Sequence, residues 1–337
     1  MRFSILVPVY NVERYIRECL DSLVNQGEYD YEIVLIDDGS TDSSGRICDE
    51  YHMKFPNLIR VVHQENQGLL MARRSAIRIA KGEYFIFIDS DDYVENTMLL
   101  LLDRIIAEHH PDMIVYHADR YNGEKYSFFR NTLYATSRLI QSDEKADYYK
   151  ATLMHSISNG MCGKAVAKEI VDIAHDYSEF KHVSVGEDLL QSLPLISNAK
   201  TIYFLNDILY HYRINPNSVG RVFDFGRYES MRSVEIALNA YSEKWNINDR
   251  KNFVARHALV ETVWGTLRVL SKTNRSMQGS KCRSLLDRME NDDYMIGQYK
   301  AIDRSYLSII QRILLGVLYS KRRRTLVVML KVLSAIK

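Results

Sequence analysis

The sequence predicts an α/β protein, in which a mostly parallel central sheet is followed by an all-helical C-terminal extension, and three observations carry that expectation. Two uncharged apolar runs, Ile33-Val34-Leu35-Ile36 and Tyr84-Phe85-Ile86-Phe87-Ile88, each stop abruptly at carboxylates, as buried strands do where they emerge at a sheet edge. Over the first 120 residues such runs alternate with helical periodicity across short connections. Beyond residue 225 only helical periodicity remains. At 337 residues, 46% hydrophobic and 26% charged, the chain is long enough for one large domain and a smaller appendage. Its 5 prolines and 15 glycines argue against linkers and low-complexity stretches.

Taken in order, strands are expected near residues 3 to 9, 31 to 37, 58 to 63, 84 to 89 and 112 to 117. Between the first two, Val12, Tyr15, Ile16, Cys19, Leu20 and Leu23 recur at helical spacing behind Asn11, the expected N-cap. Leu69, Ala72, Ala76, Ile77 and Ala80 do the same between the third and fourth, and a further helix is expected from near Asn96. Residues 121 to 135, with Asn122-Gly123, read as a hairpin or loop insertion. Helices are expected to dominate from about 143 to 200, before a strand at Ile208-Leu209-Tyr210-His211-Tyr212-Arg213 and the loop Asn215-Pro216-Asn217-Ser218. The chain is thus expected to divide into residues 1 to 220, with halves meeting near 120, and a helical region 221 to 337.

Several classes are disfavoured. Cys19, Cys48, Cys162 and Cys282 form no CxxC pair and are expected as reduced, mostly buried thiols of a cytosolic protein. Met1-Arg2 leads straight into the first strand, which leaves no room for a signal peptide, and no stretch approaches the ~20 apolar residues of a membrane-spanning helix. No nucleic-acid partner is expected. The turn after the first strand is Pro8-Val9-Tyr10-Asn11 rather than GxGxxG, against a dinucleotide enzyme, and it lacks the glycine-rich basic loop of a sugar nucleotidyltransferase. A response regulator would carry its acidic doublet after the first strand, whereas here it follows the second.

The chemistry is carried by acids. Asp89-Ser90-Asp91-Asp92 emerges at the carboxyl end of a strand, which is where an open α/β sheet binds its ligand. Carboxylates this close repel one another unless a cation neutralises them, and their hard oxygens suit Mg²⁺ or Mn²⁺, which in turn would hold a diphosphate. The plainer reading is that Ser90 to Asp92 only caps the following helix. A second cluster, Asp37-Asp38-Gly39-Ser40-Thr41-Asp42, ends the neighbouring run and favours a single acidic site.

With those residues in view, the chain resembles the inverting nucleotide-sugar glycosyltransferases of family 2, of the bacterial polysaccharide type, which have the Rossmann-like GT-A fold. Pro8-Val9-Tyr10-Asn11, Asp37 to Asp42, Asn66-Gln67-Gly68-Leu69, Ala72-Arg73, Lys81-Gly82-Glu83-Tyr84 and Asp89 to Asp92 occur in family order. The likeness loosens through Gly186-Glu187-Asp188, Tyr210 to Arg213 and Asn217-Ser218, then gives no guidance. It implies that Pro8, Val9 and Tyr10 line a base pocket, that Asp38 accepts the uracil imide proton, and that Asp89, with Ser90, reaches the ribose side. Asp91 would bind the metal that bridges the diphosphate, with His211 touching metal or diphosphate. Arg73 and Arg213 would pair with phosphate oxygens. Asp188 matches the general base, although its neighbour Glu187 has the same chemistry, and both acids also suit the dipole of a helix expected at Leu189 to Leu193. The loop from Asn215 to Arg221 would close over the donor. Arg74, where the family commonly has Asn, and Cys162-Gly163 ahead of Lys164, where it often has an aromatic, are departures.

The implied activity is transfer of a hexose or N-acetylhexosamine from a UDP-sugar, with inversion, to a saccharide hydroxyl in capsule or exopolysaccharide assembly, on a lipid-linked acceptor. Two rivals stand beside it: a catalytically silent nucleotide-sugar-binding scaffold, and a soluble transferase acting on a protein-linked glycan. The net charge of +1 hides a segregation, because residues 304 to 337 hold eight Lys or Arg and no acid, which leaves 1 minus 8, or −7, on the rest. Leu307, Ile310, Ile313, Leu314, Val317 and Leu318 repeat at helical spacing ahead of Lys321-Arg322-Arg323-Arg324 and the apolar run Leu326 to Ile336. Such helices lie along an anionic membrane surface, here the cytoplasmic inner face as a peripheral protein, or pack on the rest of the chain or on a partner.

Overall fold

A computed structural model describes all residues except 122–125, 130–132, 158, 215–224, 273–278 and 336–337. Contacts divide the chain into two units, one of residues 1–147, 157–182 and 187–216, the other of 148–156, 183–186 and 217–337. Two short excursions, 148–156 and 183–186, therefore group with the helical region rather than with the sheet as a single boundary near 220 implied.

The first unit is one sheet with helices. Its strands and helices begin β1 (Phe3–Val9), α1 (Ile16–Val24), β2 (Tyr31–Asp37), α2 (Ser44–Lys54), β3 (Ile59–His63), α3 (Leu69–Ile79) and β4 (Tyr84–Phe87). They continue with β5 (Tyr93–Val94), α4 (Met98–His109), β6 (Met113–Tyr121), β7 (Tyr126–Phe129) and β8 (Arg138–Ile140), and then, after α5 (Ala146–Leu153), most of which belongs to the excursion 148–156 of the other unit, with β9 (Lys164–Ala167), α6 (Glu187–Asn198) and β10 (Ile202–Arg213). The order across the sheet is β3-β2-β1-β4-β9-β6-β10-β5, with β7 beside β6 and β8 beside β10. β3, β2, β1 and β4 run parallel, and β9 lies antiparallel between β4 and β6, so that β6 and β10 point the same way as β4.

β1 and β2 are buried at every position, which is why they read as continuous apolar runs rather than as an alternation. α1 turns Ile16, Cys19, Leu20 and Leu23 inward, the stripe its spacing predicts. Asn11 does not cap it: Asn11 is left-handed at φ 52, and its Oδ1 accepts from the Thr41 N–H at 2.8 Å, which ties the loop after β1 to the loop after β2. Gly82 lets β1 approach, since a Cβ there would lie 2.5 Å from the Phe3 carbonyl carbon and the Ser4 nitrogen.

β9 corrects the expectation of helices throughout 143 to 200. Four residues of Lys-Ala-Val-Ala carry too little pattern to announce a strand, yet their edges are completed by β4 and β6. β10 begins six residues earlier than expected, because Asn206-Asp207 interrupts the apolar run where the register slips between Phe204 and Ile208. β6 and β7 form the expected hairpin, and its Asn122-Gly123 tip lies outside the described residues.

The second unit is helical: α7 (Arg227–Ser242), α8 (Arg250–His257), a π-helical stretch Ala258–Trp264, α9 (Gly265–Lys272), α10 (Ser280–Glu290), α11 (Asp293–Ala301), α12 (Ile309–Tyr319) and α13 (Arg323–Ala335). It has its own core, in which Leu259, Val263, Leu285, Met289, Leu314 and Leu326 are buried together. No helix among the described residues is long and apolar enough to cross a membrane.

Candidate active site

The strand order places the site. Counting outward from β1, the chain runs to β2 and β3 on one side and to β4 on the other, so the switch of direction lies between β1 and β4, and their carboxyl ends open a crevice there. Val9 pairs with Asp37, Leu6 with Phe87, and the Ile88 N–H donates to Leu6 O at 3.1 Å. Tyr10, Asp38 and the run Asp89 to Asp92 therefore leave adjacent strands at one edge.

Pro8 and Val9 are buried at the carboxyl end of β1, whereas Tyr10, directly after it, is 49% exposed. Asp38 is buried, and its carboxylate already holds a loop: Oδ1 accepts from Gln64 Nε2 at 2.6 Å and from the Gln67 N–H at 3.0 Å, and Oδ2 from the Gly68 N–H at 2.8 Å. A carboxylate has about four acceptor sites, so a base N–H is an addition to this set rather than its main partner. The adjoining Gly39 is left-handed at φ +74, and a Cβ on it would meet the Asn66 nitrogen at 2.9 Å.

Arg73, which the resemblance pairs with phosphate oxygens, is engaged by two acids of the chain. Its guanidinium is completely buried and spans two carboxylates, with Nη1 2.5 Å from Asp188 Oδ1 and Nη2 2.8 Å from Asp89 Oδ1. Burial opposes its charge, but Asp188 and Asp89 outweigh that and hold its pKa well above the ordinary arginine value. Phosphate oxygens would have to displace one of those acids. Arg74 is likewise committed, donating to Asp172 O at 2.7 Å and Ile173 O at 2.8 Å with its guanidinium over Tyr177.

Asp188 and Glu187 open α6, where acids suit the helix dipole. Burial and then the Asp188 carboxylate push the Glu187 carboxyl well above its ordinary value, while Asp188 is paired with the Arg73 guanidinium. Lys164 on β9 is buried and donates to Gly160 O, and burial lowers its pKa to about 8.

β10 braces the acidic run. Asp92 is buried, with its carboxylate receiving the Tyr210 hydroxyl and, at 2.7 Å, the Arg213 N–H; burial, then Asp91 and Asp89, raise its pKa well above the usual range. Arg213 Nε donates to Asp91 O at 3.0 Å and Nη2 to Glu18 at 2.6 Å, while its guanidinium lies over the rings of Tyr15, Tyr93 and Tyr121. His211, which the resemblance brings to the metal or the diphosphate, is held between two acids. Both ring nitrogens face carboxylates, Nδ1 at 2.8 Å from Asp119 and Nε2 at 2.9 Å from Glu95, and the ring stacks on Tyr93. Sequence reasoning missed Asp92, Tyr210, Asp119 and Glu95 as a bracing set; the only signal was an acid inside an otherwise apolar strand, at Asp119.

Among the described residues, no three His, Cys, Asp or Glu side chains converge as a metal cage. A Mg²⁺-like ion needs none, because it is ordinarily held by one or two carboxylates together with substrate phosphates. Ser90 is buried and Asp91 half-buried after β4, so an acid of the right hardness for such an ion stands at the carboxyl edge of the sheet.

Comparison with known proteins agrees with this fold. The family model for glycosyl transferase family 2 matches residues 4–171. Glycosyltransferase GlyG of Streptococcus pneumoniae is 34% identical over 225 residues, 65% of this chain and 72% of that protein. A poly(ribitol-phosphate) beta-glucosyltransferase of Bacillus spizizenii is 37% identical over 249 residues, 71% of this chain but only 37% of that protein. Among solved structures, S. aureus TarS 1-349 in complex with UDP-GlcNAc superposes with a TM-score of 0.69 at 20% identity, covering 95% of this chain and 88% of that one. The chain belongs to glycosyl transferase family 2, with the GT-A type of α/β fold.

Proposed function

We propose that the protein transfers a hexose or N-acetylhexosamine from a UDP-sugar, with inversion, to a hydroxyl of a saccharide acceptor in cell-surface polysaccharide assembly. One observation carries the reading: the donor-side acid Asp89 and the base candidate Asp188, distant in sequence, meet on the single buried guanidinium of Arg73. Tyr10 offers an aromatic face to the base, Asp38 an acceptor to the uracil imide, and Asp89 an acceptor to the ribose. Asp188 takes the proton of the acceptor hydroxyl as that oxygen attacks the anomeric carbon, and the bond to UDP breaks on the opposite face, which inverts the centre. Asp91 would hold a Mn²⁺ or Mg²⁺ ion, which would supply positive charge to offset that gathering on departing UDP. The closing loop expected at Asn215 to Arg221 lies outside the described residues.

UDP as carrier is supported by the TarS complex with UDP-GlcNAc, and a polymer acceptor by the poly(ribitol-phosphate) enzyme among the relatives. A lipid-linked acceptor at the inner face of the cell membrane, approached as a peripheral protein, is supported by the C-terminal helices. Ile309, Ile310 and Ile313 of α12 and Val328 and Val332 of α13 are exposed near Arg312, Arg322 and Arg324.

The test is a screen of UDP-Glc, UDP-Gal, UDP-GlcNAc and UDP-GalNAc with Mn²⁺ for thermal stabilisation and slow UDP release, since a ligand bound only by the native state raises its melting temperature. Asp188→Asn should bind UDP as wild type does and lose roughly 100-fold or more in turnover, the usual weight of a general base. If Glu187→Gln shows that pattern and Asp188→Asn does not, the base is Glu187. Stabilisation without any UDP release would favour the silent scaffold.

A further inference from the structure

We infer that Arg73 is a positioning residue which locks the base Asp188 to the donor-binding acid Asp89, and that it makes no contact with the diphosphate. The inference rests on the proposed transferase reading and assigns Arg73 a different task from the phosphate contact that the family resemblance implies. Arg73 rises from α3, Asp89 follows β4 and Asp188 opens α6, so one side chain joins three elements. Its two terminal nitrogens are spent on the two acids, and its Nε is buried with no hydrogen-bond partner. A guanidinium with no exposed surface cannot reach an anion in the crevice without first releasing an acid, and releasing it would leave that acid beside the incoming phosphate charge.

The geometry also says which oxygen does the work. Asp188 Oδ1 receives Arg73, whereas Oδ2 has no hydrogen bond among the described residues, and Asp188 remains partly open to the crevice. A carboxylate pinned through one oxygen presents the other in a fixed direction, and the rate of proton removal depends steeply on that direction. Because the same guanidinium fixes Asp89, an acceptor proton site and a donor ribose site share one rigid reference. Lysine cannot replace this arrangement in full, since a single ammonium lacks the planar fork that addresses two carboxylates at once.

The experiment uses the full chain with Mn²⁺ and whichever of the four UDP-sugars it turns over. Dissociation constants of UDP and of uridine, and kcat and KM for UDP release, are measured for wild type, Arg73→Met, Asp188→Asn and the double variant. Arg73→Met should lower kcat by roughly 100-fold, yet by no more than about threefold when added to Asp188→Asn, because residues acting through one group are strongly non-additive. The ratio of the uridine to the UDP constant should stay within about threefold of wild type, since a residue outside the phosphate contact changes both alike. Arg73→Lys should recover part of the lost kcat. A tenfold fall in that ratio, or an equal cost of Arg73→Met in both backgrounds, overturns the inference and makes Arg73 a phosphate ligand or a general packing residue. If Arg73→Met does not fold, Arg73→Lys carries the same two comparisons. Full turnover by Asp188→Asn overturns the inference, because the base would then be another acid, whereas absence of UDP release by wild type defeats the transferase reading itself and is a distinct outcome.

Discussion

Asp91 and Asp92 are neighbours in sequence and opposites in environment. Asp92 is buried and receives the Tyr210 hydroxyl and the Arg213 N–H, whereas Asp91 is half-buried at the crevice. Asp92→Ala should therefore strand two buried donors and destabilise the fold by about 2 to 5 kcal/mol, read by urea unfolding. Asp91→Asn should unfold like wild type, abolish transfer and remove the Mn²⁺ dependence of UDP binding; full activity in EDTA would sink the metal proposal. His63 makes a separate, pH-dependent statement. Its Nδ1 lies 2.8 Å from Asp37 and its Nε2 3.0 Å from Asp49, and these hydrogen bonds, Asp37 first, raise its pKa above the usual value. A raised folded pKa means stabilisation that is complete below about pH 6.5 and lost as the pH rises through the folded value. The melting-temperature gap between wild type and His63→Gln should accordingly be widest near pH 6 and close at alkaline pH; a gap that widens with pH would reverse the assignment. The acids of this site were legible because strands deliver them to an edge in a local pattern. The engagement of Arg73 and His211 was not, because their partners Asp188 and Asp119 come from distant parts of the chain and no local spacing records the pairing.

Among elements, those with a full turn pattern or a clean apolar run could be read from the chain, and those completed by neighbours could not. β1, β2 and α3 announce themselves in a few residues of unbroken pattern. β9 is four residues long, and its place depends on the edges that β4 and β6 offer it, which is information held in the sheet rather than in Lys-Ala-Val-Ala. The start of α11 gives an element-scale test of the helical unit. Asp292 caps α11 by accepting from the N–H groups of Tyr294 and Met295, and the same carboxylate receives the buried Tyr228 hydroxyl at 2.9 Å and Arg232 Nε at 2.6 Å from α7. Asp292→Ala removes a cap and leaves a buried hydroxyl unpaired, for a combined cost of about 2 to 4 kcal/mol. Asp292→Asn, which keeps the acceptor, should cost less than half as much in the same denaturant titration. Equal losses would mean that charge pairing with Arg232, rather than capping, holds α11 in place.

On the scale of the whole chain the charge segregation is the feature that a fold description leaves unexplained. Part of it is structural. Arg323 donates from Nε to Glu290 at 2.7 Å and pairs with Asp287, and Lys321 donates to Asn291 at 2.6 Å, so two of the four clustered cations bind α10 and the turn that ends it. Leu314, Leu315, Leu318, Leu326 and Leu330 fill the core of the helical unit, which is the packing alternative in concrete form. Yet the same helices carry a second apolar face, on which Ile309 is 71% and Val328 60% exposed, with Arg322 and Arg324 solvent-facing. Exposed isoleucines beside cations are costly in water and favourable at an anionic interface, where each cation adds on the order of 1 kcal/mol. The discriminating variant therefore spares Arg323, whose loss would damage packing, and replaces Arg322 and Arg324 by Glu. It should release from anionic vesicles already at low salt, where repulsion between exposed like charges is least screened, whereas wild type should need high salt to release, because such interactions are screened within about 8 Å at physiological strength. Ile310→Ser with Ile313→Ser should weaken flotation at every salt concentration, since apolar burial is not screened. Release of UDP from the donor in solution should be unchanged in both variants, because Tyr10, Asp38, Asp91 and Asp188 belong to the sheet unit. Equal flotation of both variants and wild type would show that this face does not meet a membrane, and the reading of a lipid-linked acceptor would lose its support from this chain.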